Sequence, residues 1–309
     1  MYSTHYNGTG AKFTTKQIRE FVENNPKLVT RKESVRYPGL YVLKYTRRVF
    51  YDALWNVGDG ILTELRGRIV DEDYNTVVAP FKKIYNRGEN NTDIDGGVVV
   101  TYAEKINGFM GAKTYNRERN EVIYSTTGST DSPYVALAEK RLKDFVPEVG
   151  WTWLFEICDP EDPHIIWEYP GAYLIGARNL LTGEMKSETE LDLVGMAQGF
   201  MRPTWGISQF YHVIELAKIA KHEGYVVYDR CDVVGGDRAL KIKSPYYLTK
   251  KLFARIGKER LCSSWLMDCK KTIDEEYYPL VDYLNEHRIE FSALDEQARL
   301  RFIEKFLGV

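Results

Sequence analysis

The stretch GGVVVTYAEKINGFMGAKTYN, residues 96–116, decides how the first three quarters of the chain are built. Its apolar run, Val98 to Val100, predicts a buried strand over 96–105, and residues 108–116 predict a second strand. The Asn107-Gly108 pair between them is typical of a turn. Lys105 therefore leaves a buried strand at a turn, where burial and nearby cations would lower its pKa and make the amine a nucleophile. Taken alone, the segment is more typical of a solvent-facing lysine in a hairpin, and the further motifs below change that balance.

Short strands separated by turns extend the same pattern in both directions. They are predicted at 39–45, 67–73, 121–126, 151–157, 164–180 (with a hairpin turn at 169–171), 223–229 and 239–244. Helical spacing interrupts them at about 132–146 and 204–222, after a first helix that begins near residue 15. Because strands and helices do not alternate regularly, the pattern argues against a doubly wound parallel sheet.

The composition and the periodicity of the sequence change after Pro245. Residues 246–309 contain only two glycines, and leucine and charged residues recur at helical spacing. One such helix is predicted to begin at Ser292 as N-cap and to carry Leu300 and Ile303 on one side. The expected fold class is therefore α+β: a mainly antiparallel-sheet domain over 1–245 and a small all-helical domain over 246–309.

Composition limits the class of protein and the cellular compartment in which we expect it. The chain has 309 residues, of which 44% are hydrophobic and 28% charged, which excludes a disordered chain. We expect no membrane span, since no apolar run approaches ~20 residues, and no secretory signal, since the first residues lack an apolar stretch. Four scattered cysteines do not make a disulfide framework, so a reduced, cytoplasmic setting is expected.

Further motifs flank Lys105 in a definite order. They are Arg66-Gly67, PFKKIYN (80–86), Thr127-Gly128-Ser129, Phe155-Glu156-Ile157, Glu223-Gly224-Tyr225 and Lys241-Ile242-Lys243-Ser244. Lys241 and Lys243 stand at i and i+2 of a predicted strand, so both side chains point to one face. Over roughly residues 60–250 this series resembles the ATP-dependent RNA ligases of the phage RNA ligase 1, or tRNA-repair, class, within the covalent nucleotidyltransferase superfamily.

The resemblance implies an activity and a set of site residues. It implies an ATP-dependent RNA ligase that joins RNA 5′-phosphate and 3′-hydroxyl ends through a covalent lysyl-AMP intermediate and an adenylylated RNA 5′ end. Lys105 would be the catalytic nucleophile and Glu223 the metal ligand. The nucleotide would be bound by Arg66, Lys83, Tyr85, Asn107, Gly108, Glu156, Lys241 and Lys243. The cofactors would be ATP and Mg²⁺, with Mn²⁺ as an alternative, and the partner would be RNA, either single-stranded or tRNA-like.

The resemblance implies different roles for different members of this set. Arg66 and Glu156 would hold the ribose hydroxyls, and the pair of lysines at 241 and 243 would grip the α-phosphate. Lys82 competes with Lys83 for the lysine of the P-x-x-K element, although Lys83 has the better register. Tyr85 would pack in the core or stack on the nucleotide.

The chain departs from the family pattern at three places. Asn107 stands where the class usually has aspartate, and Thr127 stands where many relatives carry a lysine, a phosphate contact that Lys113 could supply instead. The tail after Pro245 is short, so the preferred RNA is not implied by the resemblance. The phage-like character suggests RNA repair in the cytoplasm of an infected host cell, and the sequence carries no signal for an oligomeric state.

The charge distribution and the predicted domains help to distinguish an RNA ligase from other classes of protein. The net charge is −2, but eight basic residues against two acidic ones fall between Asp237 and Arg260, a candidate surface for RNA phosphates. A DNA ligase or a capping-type guanylyltransferase would share the fold, but these normally add an OB-fold domain, against which the helical tail argues. A non-catalytic nucleotide- or RNA-binding protein is the alternative of a different class, and it would not need Lys105.

Overall fold

The computed structural model describes residues 13–229 and 239–308. Its strands are β1 (Val29–Glu33), β2 (Tyr41–Tyr45), β3 (Arg66–Val70), β4 (Thr76–Val78), β5 (Tyr85–Asn86), β6 (Val99–Glu104), β7 (Phe109–Asn116), β8 (Glu121–Thr126), β9 (Trp151–Cys158), β10 (Gly171–Asn179), β11 (Trp205–Gln209), β12 (Gly224–Tyr228) and β13 (Ala239–Lys243). Its α-helices are α1 (Thr15–Asn24), α2 (Arg47–Tyr51), α3 (Ile61–Glu64), α4 (Pro133–Leu142), α5 (Glu188–Gln198), α6 (Phe210–Ile219), α7 (Pro245–Ala254), α8 (Ser263–Cys269), α9 (Tyr278–Glu286), α10 (Arg288–Ala293) and α11 (Glu296–Leu307).

The described strands form three sheets. Their orders are β1-β2-β3-β4, β10-β9-β7-β8 and β11-β6-β12-β13-β5. Every described pairing within them is antiparallel except that of β13 with β5, which is parallel. The expected mainly antiparallel α+β architecture is therefore confirmed.

The turn between β6 and β7 passes the chain from one sheet to another. Strand β6 belongs to the five-stranded sheet and β7 to the sheet that contains β9. The backbone N–H of Lys105 donates to the carbonyl of Gly224 at 2.8 Å, which extends the β6–β12 pairing to the end of β6. Lys105 thus lies where these two sheets meet.

Gly224 is required where β12 pairs with β13. Its φ is +127°, and a Cβ at this position would lie 2.0 Å from the carbonyl oxygen of Ile242 on the neighbouring strand. Only a glycine allows β12 to begin here at this distance from β13. The preceding residue, Glu223, is therefore held at the edge of the same sheet.

The described residues after β13 are helical. Ser244 caps α7 by accepting the backbone N–H of Tyr247, so the helix starts one residue after the last strand. Helices α7 to α11 share an apolar cluster that includes Phe253, Leu284 and Ile303. A second cluster joins Tyr246 and Leu300 to Ile165 and Ile166, so the helical region packs against the loop that follows β9. A separate domain from residue 246 onward remains a prediction, which we propose again below.

Three local predictions are wrong. Residues 164–170 do not form the first arm of a hairpin, because Ile165 and Ile166 pack against the C-terminal helices instead of joining a sheet. The helix predicted over 204–222 begins only at Phe210, since 205–209 pair with β6 as an edge strand. The last helix is capped by Asp295, not by Ser292.

Candidate active site

Seven of the sequence-predicted site residues line one cavity. The cavity has a volume of about 410 Å³, within the range of small-molecule sites. The seven are Arg66, Lys105, Gly108, Glu156, Glu223, Lys241 and Lys243. The first of them lies on β3, the fourth on β9 and the last two on β13. Lys105 directly follows β6, Gly108 directly precedes β7, and Glu223 directly precedes β12. Residues far apart in the sequence therefore converge on one space.

Lys105 and Glu223 form an ion pair in the wall of this cavity. The ammonium Nζ of Lys105 lies 2.9 Å from Oε2 of Glu223, and the Lys243 Nζ lies 3.6 Å from Oε1 of the same carboxylate. The Glu223 side chain is only 4% exposed, whereas that of Lys105 is 21% exposed. The carboxylate is thus buried among cations, and the amine remains accessible from the cavity.

The protonation of Lys105 differs from the sequence-based expectation. Burial lowers its pKa, but the charges of Glu156 and Glu223 and the hydrogen bond to Glu223 raise it, and the net effect is an increase. For Glu223, burial raises the pKa, while Lys105 and Lys243 lower it, and the net effect is a decrease. In the ligand-free protein the pair is therefore charged, and Lys105 must lose a proton before it can act as a nucleophile.

Asn107 contacts the Glu223 carboxylate of this ion pair but does not line the cavity. Its side-chain amide donates to Oε2 of Glu223 at 2.7 Å, and its Oδ1 accepts the backbone N–H of Ile166 at 2.9 Å. An aspartate here would bring a second carboxylate to Glu223, whereas the asparagine supplies a hydrogen-bond donor. The asparagine thus holds the buried carboxylate without adding a second negative charge beside it.

A hydrogen bond also joins Gly108 to Glu156. The backbone N–H of Gly108 donates to Oε1 of Glu156 at 3.2 Å. A Cβ on residue 108 would lie 2.3 Å from the carbonyl oxygen of Ile157, so the turn can approach β9 only with glycine there. Burial raises the pKa of Glu156, and the charge of Lys105 partly offsets this rise.

Lys241 and Lys243 both face the cavity, as their spacing predicts. Burial, followed by the charges of Lys83 and Arg66, lowers the pKa of Lys241 to about 7. Burial also lowers the pKa of Lys243, although Glu223 opposes the shift. The cavity lining has six cationic and four acidic side chains, an excess of positive charge that favours the entry of a phosphate group.

Lys83 and Tyr85 are not brought to the cavity. The Lys83 Nζ is 2.7 Å from Oε1 of Glu89, and it lies 5.2 Å and 4.8 Å from the ring centroids of Trp55 and Tyr85. Tyr85 is 9% exposed and packs edge-to-face on Trp55. The neighbouring lysine, Lys82, lines the cavity instead. A shift of one residue reverses the side of an extended segment on which a side chain lies, so the cavity receives Lys82 although the motif register favours Lys83.

The two lysines are therefore expected to respond differently to substitution. Lys82→Ala should weaken ATP binding by ~10-fold, because it removes a cation from the cavity wall. Lys83→Ala should reduce the free energy of unfolding by ~1–3 kcal/mol, because Glu89 loses its charged partner. Isothermal titration with ATP and thermal melting of both variants check this, and the opposite assignment would contradict it.

Lys113 does not replace the missing lysine at Thr127. Its side chain is 3% exposed, and its Nζ donates to the carbonyls of Leu142 at 2.7 Å and Phe145 at 2.5 Å. These carbonyls lie at the end of α4, where an ammonium satisfies acceptors that the helix leaves unpaired. The suggestion that Lys113 reaches a phosphate is therefore wrong.

The basic stretch 237–260 is only partly available as a surface. Residues 237 and 238 lie outside the described residues. Lys250 is 2% exposed and pairs with Glu304 at 2.7 Å, and Arg255 pairs with Glu296 at 2.9 Å. These two bridges join α7 to α11, so Lys250 supports the fold and cannot contact RNA.

Sequence reasoning missed several residues that line the cavity. Glu188 at the start of α5 and Arg202 form a buried ion pair there, and Arg202 also pairs with Asp192 at 2.8 Å. Glu188 belongs to the acidic run 184–192, whose composition is typical of a solvated face, and no motif distinguishes it. The lining also includes the apolar side chains of Val226, Ile175 and Phe109. The cavity therefore presents both charged and apolar groups.

The donor set suits a metal that is shared with phosphate. Within the described ranges, no group of three or more His, Cys, Asp or Glu is placed to hold a metal ion. Mg²⁺ is typically held by one or two carboxylates together with substrate phosphates, and Mn²⁺ has similar ligand preferences. Glu223, a buried carboxylate that faces the cavity, fits such a partial site.

Comparisons with known proteins agree with the fold. A scan against protein-family models finds no match, and a search of curated proteins finds none either. Two solved structures of an "Archaeal ATP-dependent RNA ligase" are similar: form 2 at 14% identity and TM-score 0.60, covering 93% of this chain and 81% of that chain, and form 1 at 13% and 0.59, covering 91% and 80%. A "Putative ATP-dependent DNA ligase from Aquifex aeolicus" is similar at 14% identity and TM-score 0.55, covering 89% and 72%. The chain therefore has a nucleotidyltransferase-type ligase fold, as the motif series predicts.

A membrane span is not seen in the described part of the chain: none of its helices is both long and apolar enough to cross a bilayer.

Proposed function

We propose that the protein is an ATP-dependent RNA ligase that joins 5′-phosphate and 3′-hydroxyl ends. The observation that carries the proposal is the accessible Lys105 amine, 2.9 Å from the buried Glu223 carboxylate, in a cavity that also presents Lys241 and Lys243. A protein that only bound nucleotide would have no use for an amine held in this position. The archaeal RNA ligases share the fold, which makes RNA the first substrate to test.

We assign the first chemical step to the residues of this cavity. The apolar residues of the lining would take the adenine base, Arg66 and Glu156 the ribose hydroxyls, and Lys241 and Lys243 the α-phosphate. Lys105 would release its ammonium proton to water and attack the α-phosphorus with the neutral amine. A P–N bond would form, the bond from the α-phosphorus to the bridging oxygen would break, pyrophosphate would leave, and the second proton displaced from the nitrogen would pass to water. Such a transfer depends mainly on positioning and on stabilisation of charge.

The later steps use the same residues. Lysyl-AMP would pass its AMP to the RNA 5′-phosphate, and the 3′-hydroxyl would displace AMP as the phosphodiester forms. Glu223 would hold a divalent cation, which when bound would neutralise charge on the phosphates. We also propose that residues 1–245 form the adenylylation domain and 246–309 a small helical domain. The setting would be the cytoplasm, where a reduced chain with free cysteines is stable.

One experiment separates this proposal from its alternatives. The protein is incubated with α-labelled ATP or GTP and Mg²⁺ or Mn²⁺, and it is then analysed on a denaturing gel. We expect label from ATP in an acid-labile, base-stable bond, as a phosphoramidate requires. Label from GTP alone would indicate a capping-type enzyme, and no label would indicate a non-catalytic binder. Offering single-stranded RNA and nicked DNA to the labelled protein then distinguishes an RNA ligase from a DNA ligase.

Lys241 gives this binding a predicted pH dependence. Its pKa is lowered to about 7 in the ligand-free protein, so an anion that favours the charged lysine must bring in a proton above that pH. The affinity for a non-hydrolysable ATP analogue should therefore fall as pH rises from 7 to 9, by up to ~10-fold per unit. In Lys241→Gln this dependence should be lost, and an equally steep dependence in the variant would contradict the assignment.

A further inference from the structure

Two aromatic side chains are exposed on the loop between β9 and β10. Trp167 is 68% exposed and Tyr169 is 69% exposed, and their ring centroids lie 4.8 Å apart in an edge-to-face arrangement. Isolated apolar residues are common on protein surfaces, but two large aromatic rings in contact with each other leave a large aromatic area open to solvent. Such rings are suited to stack against a planar ligand.

The backbone beside these rings is tied to the candidate active site. The N–H of Ile166 donates to Oδ1 of Asn107 at 2.9 Å, and the N–H of Asn107 donates to Oε1 of Glu168 at 3.1 Å. Asn107 follows Lys105 by two residues and also donates to Glu223. The aromatic pair thus flanks residues that are fixed to the turn that carries the proposed nucleophile.

A second cavity lies next to the pair. It has a volume of about 320 Å³ and is bounded by Asn107, Trp167 and Glu168 on one side and by Gln297 and Arg301 of α11 on the other. The two cavities share the turn after β6, because Ile106 and Gly108 line the first cavity and Asn107 lines the second. Both cavities therefore border the turn that follows Lys105.

The charges of this cavity favour an uncharged base over a phosphate. Four carboxylates line it. Two of them pair with cations, Asp159 with Arg141 at 2.7 Å and Glu304 with Lys250 at 2.7 Å, and Asp162 contacts the imidazole of His164 at 2.9 Å. The fourth, Glu168, accepts a backbone N–H. A phosphate would meet these carboxylates, whereas the amino group of a base could donate to them.

We propose that an unpaired nucleobase near the reacting RNA end stacks on the Trp167–Tyr169 pair, with its polar edge directed to Glu168 and Gln297. This inference rests on the proposed function, since it assigns the second cavity to the RNA substrate of that reaction. Stacking on an aromatic side chain typically contributes ~1–3 kcal/mol per base and tolerates any sequence.

The test compares Trp167→Ala with Trp167→Phe and with a matched control, Tyr51→Ala. Tyr51 is also an exposed aromatic, at 75%, but it lies at the end of α2 and lines neither cavity. For Trp167→Ala we expect lysyl-AMP formation within twofold of wild type, and RNA sealing at subsaturating RNA lower by ~10-fold. Trp167→Phe should recover most of the sealing rate, and Tyr51→Ala should seal at the wild-type rate.

A binding measurement keeps this test independent of catalysis. Titration with a single-stranded RNA oligonucleotide should quench tryptophan fluorescence in the wild type, and most of that quenching should be absent in Trp167→Phe. If the protein binds RNA in this way but forms no lysyl-AMP, the proposed function fails and the stacking site stands. Unchanged RNA affinity and sealing in Trp167→Ala would overturn the inference, as would an equal loss of lysyl-AMP formation, which would assign Trp167 to the fold.

Discussion

Lys105→Arg is expected to lose covalent labelling by α-labelled ATP by at least ~10³-fold. The arginine keeps a positive charge beside Glu223, so the buried carboxylate retains a partner. A guanidinium does not lose its proton in a protein, and it therefore cannot supply the lone pair that attacks phosphorus. The variant thus separates the loss of the nucleophile from the loss of the ion pair.

Two controls accompany this variant. Lys218→Ala removes a lysine whose side chain is 58% exposed and pairs only across one helical turn with Glu215, so labelling should be unchanged. ATP binding by Lys105→Arg, measured by titration, should remain within ~10-fold of wild type, because the other cavity residues are present. Retained labelling in Lys105→Arg would refute Lys105 as the nucleophile.

Glu64→Gln is expected to reduce the free energy of unfolding by ~3–5 kcal/mol. The Glu64 carboxylate lies between Arg68 at 2.7 Å and Arg178 at 2.8 Å, and all three side chains are less than 9% exposed. The substitution leaves two buried guanidinium groups without a counter-charge. Because Arg66 is on the same strand as Arg68, nucleotide binding should weaken as well. Denaturant titration, with the midpoint as readout, checks the stability.

The pH dependence of this effect follows from the pKa of Glu64. Burial raises it, but Arg178 and Arg68 outweigh burial and lower it to about 2 from an ordinary 4.5. The carboxylate therefore stabilises the protein fully above pH 4.5, and this contribution is lost as pH falls from 4.5 to 2. The difference between wild type and Glu64→Gln should shrink over that interval.

An exposed ion pair provides the matched comparison for Glu64. Arg36 and Glu139 are 2.7 Å apart, but their side chains are 37% and 39% exposed. Glu139→Gln should cost less than ~1 kcal/mol, since water replaces the lost contact. Equal losses for the two variants would contradict the role assigned to burial.

The sequence predicts the site better where a motif fixes both residue type and strand register. Lys241 and Lys243 alternate on a strand, and Gly224 and Gly108 permit close approach of backbones, so each prediction had a local physical basis. Glu156 reaches the same cavity through strand pairing over a long sequence separation, and only the resemblance pointed to it. The roles of these residues remain proposals.

The sequence predicts less where tertiary packing decides the outcome. The apolar residues Ile165 and Ile166 look like part of a strand, but their partners are Tyr246 and Leu300, which lie far along the chain. In the same way, Lys113 is a candidate for a phosphate contact until its position opposite the end of α4 is known. Neither contact leaves a periodic signal in its own segment.

The parallel pairing of β5 with β13 has a consequence for biosynthesis. It joins Tyr85 to Leu240, so the sheet that carries Lys241 is completed by two segments that are translated far apart in time. Contacts of such long sequence separation form late, and a ribosome-bound chain that ends before residue 239 lacks the last strand altogether. The candidate site should therefore be completed only after residue 243 has been synthesised, so that shorter products lack the Lys243 side chain in the cavity wall.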